Sequence, residues 1–409
     1  MKKKLTPFSL TLLLSLVYFT SYITRKNFSV IITSIIDGTG FSENLLGIAL
    51  TCLSITYGVG QVVNGFIGDI IKPQNLIFCG LIIVSLMNLL LPLVSVSIAL
   101  MCICWAINGF AQAMLWPPIV RILATTLNDK QYNASIIIVS ASSSLATIFL
   151  SIVAKHIIVL FKSWTSIFYF STVIGFMICV IWFFVKDSCS DFENKKIIFI
   201  QKEKSTENKF SIPKIAVFPL FFIFATVILQ GMLRDGIEPL LPIYLKQMLN
   251  VSSEDAIIIT IAPSILSIVF YYISGWVYKK FFTNEVTCAS LIFSLASIAG
   301  IALLFLFNVG KIAPLICLTL ITSLMHGINL MINSYVPKRF VKYGNVATFA
   351  GIINACTYIG SAIAYTLFLS ITDWYITVIV CTLIAVLGTA CGFIASKKWN
   401  KIIKDTSNN

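Results

Sequence analysis

Long stretches without a charged side chain recur from one end of this chain to the other, and they restrict its fold more than any other feature. The first runs from Phe8 to Thr24 and the last from Trp374 to Ser396. About 20 apolar residues in a helix cross the hydrocarbon of a bilayer. Inside that layer, only helices and closed barrels satisfy their own backbone polar groups. Charged residues make up 11% of the chain, against about 25% in soluble domains. The sequence therefore reads as an all-α polytopic membrane protein.

The hydropathy pattern predicts twelve helices, at about 5–36, 42–71, 75–95, 98–127, 132–159, 164–186, 214–245, 253–279, 286–308, 312–336, 346–370 and 373–395. They fall into two six-helix bundles, 1–186 and 214–395, with a linker at 187–213 and a tail at 396–409. The basic, apolar N-terminus lacks a small-residue cleavage site and reads as an uncleaved first helix.

Most of the 29 lysines and arginines fall on one set of loops, and only Lys155, Lys162, Lys246 and Lys311 fall on the other. By the positive-inside rule both termini are expected in the cytoplasm of a cell membrane. The same clustering argues that the net charge of +13 reflects topology rather than nucleic-acid binding. The 11 cysteines are scattered without metal-ligand spacing, so no disulfide, metal or cofactor is expected.

Three cations remain deep inside spans: Arg25 and Lys26 in the first helix, and Arg234 in the seventh. A charge at the bilayer centre costs about 2.5–3.5 kcal/mol on insertion scales and marks a functional residue by default. Only Asp235 and Glu238 lie at similar depth as anions. The set is left net positive, and an anionic ligand would complete it. Arginine suits that task, because its planar fork holds a carboxylate or phosphate bidentately. A purely structural ion pair with Asp235 or Glu238 is the alternative.

The halves echo each other. Arg25 and Arg234, Gly65 and Gly275, and Gly109 and Gly327 lie 209, 210 and 218 residues apart, in the same order. Duplicated bundles of this kind place a transporter's site at the repeat interface. Residues three and four apart share a helix face, and seven helices carry polar stripes on that basis. They are Tyr18–Tyr22–Arg25–Ser29, Tyr57–Gln61–Asn64, Trp105–Asn108–Gln112–Trp116, Ser140–Ser143–Thr147–Ser151, Gln230–Arg234–Glu238, His326–Asn329–Asn333 and Asn354–Tyr358–Ser361–Tyr365. Together they can line a cavity, although serines in membrane helices also serve as helix–helix glue. The third and ninth helices lack a stripe and are expected to face lipid. His326 is a candidate proton relay or, more simply, a hydrogen-bonding group.

Four segments carry a family resemblance: "TRKNFSV", "LRDGIEPLLPIYL", "TYGVGQVVNGFIGD" and "INGFAQAMLWPPIVRIL". The chain resembles the organophosphate–phosphate antiporters of the major facilitator superfamily, over almost its whole length. The resemblance implies that Arg25 and Arg234 hold a phosphate, and that Lys26 pairs across the halves with a carboxylate, Glu238 being nearest. It also implies a monomer that exchanges an organophosphate for inorganic phosphate. Tyr18, Tyr22, Gln61, Asn108, Trp116, His326, Asn354 and Tyr358 are the remaining candidate substrate-binding residues, with Lys26, Glu238 and Asp235 as coupling residues. Three features depart from the family's pattern. Gln61 stands where sugar-phosphate transporters tend to carry lysine, Ser140-Ala141-Ser142 replaces a histidine found in some, and no arginine follows Asp69. Proton symport of a carboxylate and a transporter-like sensor are the alternatives. An enzyme is poorly supported, because His156 and His326 are the only histidines and no nucleophile–base pair is apparent.

Overall fold

A computed structural model of the chain describes residues 5–186, 214–259, 261–307, 309–340, 346–371 and 373–407. The predicted linker, 187–213, lies outside the described residues. Among those described, twelve helices are long and apolar enough to cross a membrane. They are α1 (Pro7–Val30), α2 (Glu43–Gly68), α3 (Pro73–Val94), α4 (Ile98–Thr126), α5 (Asp129–Phe161) and α6 (Thr165–Val185) in the first half. The second half holds α7 (Val217–Asp235), α8 (Asp255–Phe281), α9 (Glu285–Leu306), α10 (Ile312–Lys338), α11 (Val346–Phe368) and α12 (Trp374–Asn400).

Local chemistry sets the ends. Thr6 caps α1 by accepting from the Ser9 amide, with Pro7 in the first turn, where its missing N–H costs nothing. Asn128 and Gln131 form a reciprocal capping box at the start of α5.

Several spans are not continuous α-helix. The first predicted helix breaks at Ile31 and resumes as Ile32–Thr39. α4 is interrupted at 113–115, before Pro117 and Pro118. The seventh predicted helix ends at Asp235 and resumes at Leu240–Leu249, because Gly236 and Pro239 fall between. α10 passes into a π-helical segment at Leu330–Tyr335. Pro337 follows within one turn and withholds its N–H from the carbonyl of Asn333. The twelfth helix runs on to Ser407, so the expected tail continues the helix.

Glycine contacts repeat between the halves. A Cβ on Gly109 of α4 would strike the Leu53 carbonyl on α2, and one on Gly327 of α10 would strike Ser274 on α8. A Cβ on Gly65 of α2 would sit 2.9 Å from the Ala347 carbonyl of α11, and one on Gly275 of α8 would sit 2.8 Å from Ile137 of α5. The second pair joins the halves to each other. α2 with α11, and α5 with α8, form two crossings related by the repeat.

Polar pairs join the halves at both ends. At the end where α1 begins, Lys338 pairs with Asp129 at 3.1 Å, and the Tyr132 hydroxyl donates to the Ser334 carbonyl at 2.9 Å. At the opposite end, Lys246 pairs with Asp37 at 2.7 Å, Ser253 donates to Asp37 at 2.6 Å, and Lys155 meets Asp255 at 2.8 Å.

The third and ninth helices do carry exposed apolar faces, such as Leu89 and Leu93, or Leu295, Ile298 and Phe305. Their inner faces are more polar than expected. Asn88 of α3 is fully buried and donates to the Thr24 carbonyl at 2.8 Å. Glu285 of α9 is fully buried against Arg339 at 2.9 Å.

Candidate functional site

The two arginines predicted to work together converge on one tyrosine. Arg25 Nη1 donates to the Tyr358 hydroxyl at 2.6 Å, across the interface between halves. The Arg25 guanidinium lies 5.6 Å from the centroid of the Tyr358 ring, and that of Arg234 lies 6.0 Å from it. Tyr22 and Tyr57 complete an aromatic surround for Arg25 at 4.3 and 5.0 Å. Such contacts stabilise a guanidinium, more strongly where it is desolvated, but they do not neutralise it. Among the described residues no carboxylate lies within ion-pair distance of Arg25, and its Nε finds no hydrogen-bond partner.

Arg234 is held differently. Its Nε and Nη2 donate to the two oxygens of Asp235 at 3.0 and 2.8 Å, and Nη1 donates to Asn329 at 2.7 Å. Asp235 also accepts from Ser361 at 2.8 Å. Lys26 forms an ion pair with Glu238 and lies 3.5 Å from Asp235. The pairing of Lys26 with Glu238 matches the expectation. The expected stripe Gln230–Arg234–Glu238 does not form, because the helix stops before Glu238 and sends it to Lys26 instead. The structural ion-pair alternative therefore describes Arg234 with Asp235, and not Arg25.

The other candidates divide. Tyr18 packs on Tyr22 and on Trp116, with centroids 5.1 and 4.8 Å apart. Buried Gln61 has no partner for either amide atom, and neither has Trp116 for its indole N–H. Asn64, one turn beyond Gln61, is in the same position. Buried polar groups without partners are rare and need an explanation; they suit a site that receives a polar ligand. Asn108 instead bonds within its own half, donating to the Thr24 carbonyl at 3.2 Å, next to the Gln112–Thr24 contact at 2.9 Å. Asn354 lies 3.4 Å from Asn333, which also donates to Thr357 and Asn329. His326 shares a hydrogen bond with Tyr271 at 3.0 Å and lines a small pocket with Lys26, Glu238, Asp235, Tyr22 and Ser143. Ser143, Thr147 and Ser151 each bond back to a carbonyl of their own helix, three or four residues earlier.

Hydropathy and spacing missed one network. Asn27, beside the buried cations, donates to Asn88 at 2.6 Å and Ser171 at 3.0 Å, tying α1 to α3 and α6. Its partners lie far away in sequence, so no local pattern announces it. Tyr57 also enters the site, beside Arg25, and its four-residue spacing to Gln61 is the signal the sequence carries for it.

The family profile of the Major Facilitator Superfamily matches residues 14–365. The chain belongs to the Major Facilitator Superfamily. Within it, the chain is 26% identical over 363 residues to a glycerol-3-phosphate transporter of Bacillus subtilis, covering 83% of this chain and 80% of that one. It is 38% identical over 106 residues to a probable hexose phosphate transport protein of Chlamydia muridarum, covering 26% and 23% of the two. It is 30% identical over 106 residues to the membrane sensor protein UhpC of Escherichia coli, covering 26% and 24% of the two. This superfamily member is thus a multi-pass membrane protein, with twelve membrane-crossing helices among the described residues and buried cations at the junction of its halves.

Proposed function

We propose that the protein carries a small phosphate ester across the cell membrane by alternating access, in exchange for inorganic phosphate, with both termini cytoplasmic. One observation carries this reading: Arg25 sits at the junction of the halves without a carboxylate partner among the described residues, while Arg234 shares its tyrosine from the other half. A doubly charged phosphate can accept from both guanidiniums and offset their charge, whereas a neutral solute leaves the charge in place. The resemblance to glycerol-3-phosphate and hexose phosphate transport proteins supports the same ligand class.

Binding energy realised only when both halves contact the anion favours the closed intermediate over either open state. That difference in affinity is what a ligand needs in order to move a conformational equilibrium. Lys26 and Glu238 supply a contact between halves next to the ligand seat. Gln61, Asn64 and Trp116 would receive the hydroxyls of the organic portion.

The test is a competition panel in proteoliposomes. Glycerol 3-phosphate, hexose phosphates, inorganic phosphate and sugar acids are set against labelled phosphate uptake. Competition by phosphate esters and not by sugar acids is expected. Inhibition by sugar acids together with dependence on a proton gradient would favour carboxylate symport, and binding without flux would favour a sensor.

A further inference from the structure

We propose that the groove between α2 and α11 seats one acyl chain of a membrane phospholipid, wedged between the two halves behind Tyr358. The two helices run antiparallel and cross closely at the end where α1 begins, where a Cβ on Gly65 would sit 2.9 Å from the Ala347 carbonyl. Away from that crossing they diverge, and a groove of about 810 Å³ opens between them. Gly58, Val62 and Ala355 line it near the crossing, and Thr51, Thr366 and Ser370 line its far end. Ile55 and Val59 on one side, and Ile359 and Ile363 on the other, are about half exposed and form its rims. The groove is therefore continuous with the apolar surface that the bilayer covers.

Its chemistry grades as a lipid's does. Near the crossing the lining is aliphatic. Hydroxyls gather toward the far end, and there Thr366 and Ser370 donate to the Ala362 and Leu367 carbonyls of their own helix, at 3.2 and 2.7 Å. A water molecule needs two to four polar partners to stay in a cavity, and the aliphatic side chains offer none. Left empty, that end would forfeit the van der Waals contacts of its lining. At 1.5 Å per residue, Thr51 to Val62 spans about 16 Å and Ala355 to Ser370 about 22 Å. Half of the hydrocarbon core is about 15 Å, so the groove runs the depth of one leaflet, the one at the end opposite the start of α1. A chain seated there reaches the back of the cation site. A Cβ on Gly58 would lie 3.6 Å from that of Tyr358. The Tyr358 ring centroid is 3.9 Å from that of Tyr57, and its hydroxyl accepts from Arg25. A hydrocarbon wedge therefore sets the separation of α2 and α11 at the level of those two rings.

The test places the full chain in nanodiscs that contain a phospholipid with a diazirine near the methyl end of one acyl chain. After irradiation, the adducts are mapped by peptide mass spectrometry. Labelling at Val59, Val62 and Ile359 is expected to exceed that at Leu295, Ile298 and Phe305 of α9 at least fivefold, although those α9 side chains are similarly or more exposed. Moving the diazirine next to the ester should shift the label toward Thr51 and Ser370. Equal labelling of the groove and α9, or a pattern indifferent to the position of the diazirine, would overturn the proposal. Val59→Trp combined with Ile359→Trp fills the groove. Labelling at Val62 should then fall at least fivefold while that on α9 stays the same, and unchanged labelling at Val62 would also overturn the proposal. Should that variant fail to fold, the depth pattern of the wild-type protein decides alone. Efficient cross-linking of Ile363→Cys chains into dimers, without lipid adducts in the groove, would assign the face to a second copy and overturn the proposal. None of these readouts depends on which solute the protein carries, so they succeed or fail apart from the transport proposal.

Discussion

Arg25 on α1 and Tyr358 on α11 are joined by a hydrogen bond of 2.6 Å across the interface between the two halves of the protein. The tyrosine is neutral, so the contact positions the guanidinium without discharging it. Replacing Tyr358 by Phe keeps the ring and removes the acceptor. Loss of a single hydrogen bond to a charged group costs about 1.5–3 kcal/mol. Phosphate affinity is therefore expected to fall roughly tenfold or more, measured by competition binding on the purified protein. Unchanged affinity would show that the hydroxyl plays no part in placing Arg25.

The pair of Lys26 and Glu238 offers a stability test. Both side chains are largely buried, at 11% and 14% exposure. Removing one partner of such a pair costs about 3–5 kcal/mol, because the other is left buried and charged, whereas an apolar replacement of both is often neutral or better. Lys26→Met and Glu238→Met should each lower the thermal midpoint in detergent. The double variant should recover most of the loss. Additive losses would mean that the two residues do not act as a pair.

At the end of the molecule opposite the start of α1, Asp37 gives a pH expectation. Partial burial pushes its carboxyl up, but the hydrogen bonds from Lys246 and Ser253 and the ammonium charge outweigh this and hold it below the usual carboxylate range. A carboxyl lowered in this way stabilises closure above its ordinary value, and that contribution is lost as the pH falls through the lowered one. Between pH 5 and 8 the Asp37 contact should therefore hold without change. The pair is about half exposed, so it is worth no more than about 1 kcal/mol and weakens with salt. Asp37→Asn should raise the fraction open at this end by up to about fivefold at neutral pH, measured by distances between spin labels on the two halves. A wild-type protein that opens between pH 7 and 5 because of Asp37 would contradict the assignment.

The crossing of α2 and α11 should be sensitive to bulk. A Cβ on Gly351 would collide with the Gln61 carbonyl. Gly351→Val is expected to hold the halves apart at the end where α1 begins, reducing exchange more than tenfold while the protein still reaches the membrane. Cysteine labelling near Ala347 should increase in parallel. Normal exchange by this variant would show that the close approach is dispensable.

Much of this was legible in the sequence for physical reasons. Hydrocarbon tolerates so few charges that the uncharged runs mark the spans directly, and Arg25, Lys26 and Arg234 stand out against them. The repeated glycines were visible as spacing, and their partners on the neighbouring helices emerged with the fold. The stripe ending in Glu238 failed because periodicity assumes an unbroken helix. Gly236 and Pro239 end it. The bidentate grip of Asp235 on its neighbour was not legible, since adjacent residues on a regular helix point about 100° apart. Asn108 faced the predicted direction but met the Thr24 carbonyl first, a contact that depends on how α1 and α4 pack.

The central claim is that Arg25 receives a phosphate, and one measurement addresses it most directly. Purified Arg25→Lys protein is reconstituted with internal phosphate and assayed for exchange against labelled phosphate and glycerol 3-phosphate, beside the wild type. Lysine preserves the charge and loses the planar fork. The expected result is at least a hundredfold loss of exchange by a protein that still unfolds near the wild-type temperature. Exchange at the wild-type rate by this variant would contradict the account.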